Sequence, residues 1–330
     1  MRKLTGVVSL TILICVLMSG PANASIKKVA QTGLQFLKVD MTARSAAMGG
    51  AYTMTASDAS AIFANPAGLA EMQYSTDFFA TRTNWIANIA YNAGAVARNF
   101  GNFGVLALSF VSVDYGEMIG TQVANNAVGY IQTGSVDVGG YAVGVGYARS
   151  LTDKFSIGGQ VKYAQQHLGE NLLSVGGKTV ENKVSGLAYD IGTKFYPGFK
   201  SFRMGMSIRN FSTQFKYAEE SFQLPLTFRL GFGMDVLDLI GGLPNSSLVI
   251  DIDALHPRDY TERLHIGGEY TYANLLALRA GYKTNYDEEG LSLGFGLQYE
   301  LAGVHVKFDY AYSDFGAFNN VNRITLGASF

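Results

Sequence analysis

His167, His256, His265 and His305 are the side chains here best suited to moving a proton near neutral pH. His265 and His305 fall on the polar faces of alternating stretches, with Glu269 and Asp309 close by in sequence. Histidine beside carboxylate is half of a hydrolytic site, but no serine sits in a motif that would supply the other half. The single cysteine, Cys15, lies in a stretch that reads as a cleaved leader, so neither thiol catalysis nor a disulfide is expected. Asp251-x-Asp253 and Asp287-Glu288-Glu289 carry the oxygen ligands calcium prefers, yet neither follows an EF-hand pattern. Asp251 and Asp253 alternate with Ile250 and Ile252, which puts both carboxylates on one wet face. These residues therefore read as polar groups that are hydrated or paired. The expectation is a protein with no catalytic site, no metal and no cofactor.

Such groups need elements to carry them, and the pattern of those elements is β. In YAVGVGYA, Tyr141, Val143, Val145 and Tyr147 oppose Ala142, Gly144, Gly146 and Ala148. In LSLGFGLQY, Leu291, Leu293, Phe295, Leu297 and Tyr299 oppose Ser292, Gly294, Gly296 and Gln298. Period two puts each set on one side of a sheet. Tyr, Phe and Leu crowd one side while glycine, Lys, Arg and Asp share the other. Lipid outside and a polar lumen inside account for that combination. Composition agrees: 39 glycines, 12% aromatics and only 15% charged residues, against roughly a quarter charged in soluble domains. A formal net charge of −1 gives no reason to expect nucleic acid. No window after the leader holds the ~18 apolar residues of a spanning helix.

The candidate strands are 75–84, 86–98, 103–114, 137–149, 155–167, 184–196, 202–213, 225–236, 247–255, 260–273, 275–284, 291–301, 303–313 and 321–330. That makes about fourteen, an even number, most of them long enough to cross a tilted path through a bilayer. Short and long connections alternate, as periplasmic turns and outer loops do. The hairpin at Trp85 is tight for an outer loop, and 237–246 is long for an inner turn. The fold class expected is all-β, a transmembrane antiparallel β-barrel of about 14 strands with a partly helical N-terminal hatch in its lumen.

Residues 1–24 read as a signal peptide, with Arg2 and Lys3, an apolar run to Met18, and the site Ala22-Asn23-Ala24. Residues 74–330 are then the outer-membrane barrel. Residues 25–73 precede it and could fill a lumen that side chains alone would leave open. Within them ASDASAIFANPAGLAEM, residues 56–72, is alanine-rich and helix-like. Ser57 or Asp58 can cap a short helix, and Pro66 biases Asn65 out of helical geometry and ends it. A buried Asn65 must bond its amide to nearby backbone. Arg44 is the hatch charge expected to meet an acidic wall residue. Arg203, Arg229, Glu269, Arg279, Lys307 and Asp309 are the candidate lumen polar residues, either pairing with each other and anchoring the hatch or lining a ligand path. The chain ends RITLGASF, and a terminal aromatic on the lipid face, Phe330, is the end that barrel-assembly machinery reads.

The run from 36 to 72 resembles the N-terminal signature of the PorV/PorQ family, within the FadL-like group of fourteen-stranded outer-membrane barrels. The residues that carry the resemblance are Ala43-Arg44, Met48-Gly49-Gly50, Asp58-Ala59 and Asn65-Pro66-Ala67-Gly68-Leu69. It implies that the opening segment is a hatch folded inside the barrel. Three roles stand open, the first two of them implied by the resemblance. The first is accessory to type IX secretion, where PorV members hold cargo at the outer membrane, with secretion-system components and cargo as partners. The second is FadL-like transport of a hydrophobic ligand such as a long-chain fatty acid. The third is a structural outer-membrane protein whose partner is lipid.

Overall fold

The computed structural model describes residues 32–173, 178–217 and 220–330; the leader at 1–24 lies outside them. Fourteen antiparallel strands close into a barrel. They are Thr76–Asn84, Ala90–Asn99, Val105–Asp114, Val138–Ser150, Phe155–Leu173, Lys178–Phe195 and Arg203–Phe211, then Thr227–Asp235, Ser246–Pro257, Arg263–Tyr272, Leu276–Thr284, Leu291–Leu301, Val304–Asp314 and Asn320–Ser329. The first strand pairs with the last, Ala80 opposite Leu326, so the wall has no free edge there. Closure also satisfies the backbone groups that lipid cannot.

Burial follows the alternation. Leu293 and Leu297 are each 45% exposed on the outer face, whereas Ser292 between two such residues is 2% exposed. Apolar side chains point outward around the ring, among them Phe110, Val145, Ile191, Leu278 and Leu326. A belt of that extent would aggregate in water and is matched by a bilayer. At the short-turn end Phe103 packs edge-on against Phe100 and Tyr147, and Tyr147 Oη donates to the Phe103 carbonyl at 2.5 Å. Such aromatics suit a membrane–water interface.

Several boundaries differ from the sequence expectation. The tight hairpin relaxes because the second strand starts at Ala90, leaving a turn at Ile86–Asn88 in which Ala87 and Asn88 take positive φ. The long inner connection is filled by a 3₁₀ turn, Val236–Leu239, capped by Asp235, whose Oδ1 accepts from Leu237 N at 3.0 Å. Asp235 therefore ends a strand as a cap. The fifth and sixth strands form a hairpin longer than alternation suggested, reaching Leu173 and resuming at Lys178. Two small ribbons stand in the long loops, Met118–Val123 with Tyr130–Val136, and Phe215–Tyr217 with Glu220–Phe222.

Residues 32–72 lie against the inner faces of the strands in four short helical turns: Gln35–Lys38, Ala43–Ala47, Ala59–Phe63 and Pro66–Glu71. Each of the last three is capped by a side chain, Thr42, Asp58 and Asn65 respectively. Asn65-Pro66 was expected to stop a helix. It does so, the turn ending at Phe63 with Asn65 extended, and it also starts another: Asn65 is the N-cap and Pro66 the first helical residue, where a missing N–H costs nothing. Met48, Tyr52, Ile62 and Leu69 are buried with Phe79, Ala97, Val105 and Ala148 of the wall in one apolar cluster. Small residues in the wall permit this approach. A Cβ on Gly158 would lie 2.5 Å from the Pro66 carbonyl carbon, and one on Gly294 would lie 2.5 Å from the Ala47 Cβ. The abundance of glycine is thus partly a docking track for backbone.

Candidate functional site

The polar lumen face and the hatch meet in a set of ion pairs drawn from most of the barrel's second half. Arg44, on the turn capped by Thr42, forks onto Glu269, with Nε–Oε2 at 2.8 Å and Nη2–Oε1 at 2.6 Å. Glu269 also accepts from Arg279 Nε at 2.5 Å, and Arg279 Nη1 donates to Asp309 at 2.6 Å. Three wall strands and the hatch share this chain of charge. Lys307 donates to Asp58 of the hatch at 3.1 Å and to Asp77 of the first strand at 2.9 Å. Bidentate, charge-assisted contacts of this kind fix orientation as well as adding energy.

A second seat lies on the strands 203–211, 227–235 and 246–257. Asp251 accepts from Thr55 Oγ1 at 2.5 Å, and Asp253 accepts from Thr53 Oγ1 at 2.6 Å and from the Tyr52 and Thr53 amides at 3.2 Å. Arg203 Nη2 donates to Thr55 Oγ1 at 3.2 Å, and Arg229 Nη1 donates to the Gly50 carbonyl at 3.1 Å. Gly49 and Gly50 take positive φ, a shape side chains resist, and so present that carbonyl to the wall. Both aspartates thus hold hatch threonines. On the neighbouring strand, Lys178–Phe195, Lys194 Nζ, fully buried, donates to the Ala56 carbonyl at 2.6 Å and to Glu71 at 2.8 Å. Asn65 is fully buried. Its Nδ2 donates to the carbonyls of Thr53 (3.2 Å) and Thr193 (3.0 Å), and its Oδ1 accepts from Ala67 N at 3.2 Å. Gly68 leaves room for the Ala56 carbonyl, and Leu69 is buried in the core.

At the long-loop end Lys283 bridges Asp40 (3.1 Å) and Glu289 (2.7 Å), and Lys38 holds Asp259 at 2.9 Å. Burial pushes the Asp259 carboxyl up, but hydrogen bonds and charge from Lys38, with Gln35 and Thr32, outweigh it and hold the group below its usual range. At the opposite end Phe330 continues the closing pair, exchanging backbone bonds with Thr76 at 2.8 and 2.9 Å, while its ring meets Phe78 on the lipid face.

The hatch therefore separates two cavities. One of about 620 Å³ opens at the short-turn end, with Arg44, Asp58, Glu269, Arg279, Lys307 and Asp309 in its walls. The other, about 450 Å³, opens at the long-loop end, with Trp85, Tyr91, Phe315 and Phe318 facing Lys38, Arg263, Lys283 and Tyr286. The histidines singled out from sequence are scattered, His265 beside the long-loop cavity and His305 beside the short-turn one. His265 Nε2 pairs with Tyr286 Oη at 2.8 Å, and His305 Nε2 with Gln298 at 3.2 Å. His256 lies 3.2 Å from Glu262, and His167 lies between Asp137 and Glu181. Among the described residues none is bonded to a serine, and no group of three metal-ligating side chains converges.

Of the residues singled out from sequence, Arg44, Met48, Gly49, Gly50, Asp58, Asn65, Pro66, Gly68 and Leu69 lie on the hatch, Arg203, Arg229, Glu269, Arg279, Lys307 and Asp309 on the wall around it, and Phe330 at the seam, whereas His167, His256, His305 and 287–289 lie apart from that contact set and Cys15 lies outside the described residues. What sequence missed is Lys194 with Glu71, Lys283 with Asp40, and Thr53 and Thr55 as partners of Asp251 and Asp253. The alternation of Asp251 and Asp253 was the one available signal.

Over residues 105–327 the sequence matches the family model described as "Type IX secretion system membrane protein PorP/SprF". That span begins after the signature at 36–72 on which the PorV/PorQ resemblance rests. No curated protein sequence matches. Among solved structures, the CymD monoaromatic hydrocarbon channel is similar at 15% identity and TM-score 0.56, over 88% of this chain and 98% of that one. The Pseudomonas putida toluene transporter TodX is similar at 13% and 0.57, over 92% and 99%. A Pseudomonas aeruginosa FadL homologue is similar at 10% and 0.52, over 92% and 99%. At such identities the likeness is one of fold, and that barrel fold together with the family model puts the chain in the bacterial outer membrane.

Proposed function

The chain belongs to the PorP/SprF family of type IX secretion system membrane proteins, and from that premise we propose that it serves secretion as a closed platform, not as an open pore. The observation that carries the reading is the pairing of hatch and wall: Arg44, Asp58, Thr53, Thr55 and Glu71 each meet a wall side chain. A lumen closed by that many buried polar contacts holds its shape while secretion-system components and cargo dock at its ends. In this reading residues 1–24 are a signal peptide, 25–73 the hatch and 74–330 the barrel, with no catalytic role. The PorV/PorQ-like signature is the finer element, describing the hatch. The test is deletion of the gene in its native host. Proteins bearing type IX sorting domains should lose surface display and be restored by the wild-type gene; unchanged display would sink the proposal.

A second reading, transport of a hydrophobic ligand, draws on the aromatic side of the 450 Å³ cavity, where Trp85 packs against Phe315 and Tyr91. It requires the same deletion to slow uptake of an aromatic hydrocarbon with secretion intact. The family membership favours the first. Assembly is proposed to depend on Phe330. Phe330→Asp should sharply reduce folded barrel in the outer membrane while export to the periplasm continues; normal barrel yield would refute that role.

A further inference from the structure

We propose that the recess between the hatch turn Gln35–Lys38 and the strands Arg203–Phe211 and Thr227–Asp235 binds a small monovalent anionic group, a chloride or a carboxylate. Lys38, Arg209, Arg229 and Arg263 line it, with Asn210 and Thr227, and among the described residues no carboxylate does. Arg209 is 5% exposed, and its hydrogen bond runs from Nη2 to the Leu37 carbonyl at 3.3 Å. Among the described residues it has no carboxylate within ion-pair distance. The Nε atoms of Arg209 and Arg229 are both buried without a hydrogen-bond partner. Arg229, also 5% exposed, has its nearest carboxylate oxygens at 3.9 Å on Asp40 and 4.0 Å on Asp253, beyond hydrogen-bond length. Lys38 is turned to Asp259. Cation therefore exceeds anion at this point.

Asp190 and Asp40 act on Arg209 only from beyond ion-pair distance; a buried charge with no counter-charge in hydrogen-bond contact is costly, and a guanidinium cannot escape by losing its proton. The remaining solution is an anion. The recess has a volume of about 30 Å³, more than the ~10–15 Å³ that one water-sized occupant requires. It suits one halide or the head of one carboxylate. Planar guanidinium forks match either. Lys38, Arg229, Arg263 and Tyr286 also line the 450 Å³ cavity at the long-loop end, which supplies a route in. Arg209 and Asn210 both donate to the Leu37 carbonyl, so an anion bound here braces the first turn of the hatch against the wall. The inference is independent of the secretion role, because it holds for any occupant of the barrel's outer cavity.

The test uses the full-length protein in detergent. Crystals grown in sodium bromide should show one anomalous peak beside the Arg209 and Arg229 guanidiniums. In parallel, protease cleavage of the hatch is timed at fixed ionic strength in sulfate, a larger dianion that serves as the reference, or with chloride or acetate in its place. If cleavage requires hatch release, chloride or acetate at ten times its Kd should slow it about 11-fold, the factor 1 + [L]/Kd. Slowing by chloride with a bromide peak assigns the site to free halide; slowing by acetate alone assigns it to a carboxylate. Arg209→Gln should abolish the dependence in either case. The proposal is overturned if neither anion slows cleavage and no bromide peak appears, or if Arg209→Gln folds and responds as wild type does. Should that variant fail to fold, the bromide map and the wild-type titration decide alone.

Discussion

Asn65 ties three parts of the chain together through one buried amide: the Thr53 carbonyl of the hatch, the Thr193 carbonyl of the wall, and the start of the helix that follows it. Asn65→Ala removes the cap and leaves two carbonyls dry, at about 1–3 kcal/mol. The barrel wall keeps its own ladder, so hydrogen exchange should quicken in 53–70 and hold steady in the strands; uniform quickening would contradict this. Glu269 is a harsher case. It is shared by Arg44 and Arg279 and is almost completely buried. Glu269→Ala leaves two guanidiniums facing each other, and loss of one partner of a buried pair costs about 3–5 kcal/mol. Released hatch, read as new protease cuts between 32 and 75, is the expected outcome, and Arg44→Ala in the same chain should relieve part of the strain. Sequence identified Arg44 as a charge that needs an acidic partner but not which one. Pairing across a lumen depends on the hatch's path, and helical turns of four to six residues leave no period to read.

The strands were legible because lipid imposes their pattern: every second side chain must be apolar or the wall cannot sit in a bilayer. Where the chain leaves the bilayer that pressure ends. The hairpin of the fifth and sixth strands runs on to Leu173 and Lys178, and the ribbon Met118–Val136 forms in a loop with no alternation to announce it. Asp235 shows the same limit: period two runs on through it, whereas an Asp just before a short helical run is also a cap, and the cap prevails at the strand's end. The ribbon is exposed along nearly its whole length. A protease nick between residues 124 and 129 should therefore leave the barrel closed, with the cut halves co-migrating unheated and separating only on boiling. Separation without heat would mean that the ribbon helps hold the wall.

Closure and plugging are separable properties of the whole molecule. Closure belongs to the wall, where the first strand pairs with the last over eight residue pairs and the Phe330 backbone extends the seam to Thr76. Plugging belongs to the hatch, whose contacts to the wall are ion pairs, hydrogen bonds and apolar packing. The wall should therefore survive loss of the hatch, while the lumen should not stay shut. Buried ion pairs such as Arg279–Glu269 and Arg279–Asp309 lie within the wall and keep each other satisfied without Arg44. A chain lacking residues 25–72 should still assemble and still run faster unheated than boiled. In planar bilayers it should form large, steady channels, whereas the full-length protein should conduct little. Equal conductance of the two forms would place the barrier to flow in the wall's own side chains or outer loops, and the closed-platform reading would lose the contact set on which it rests.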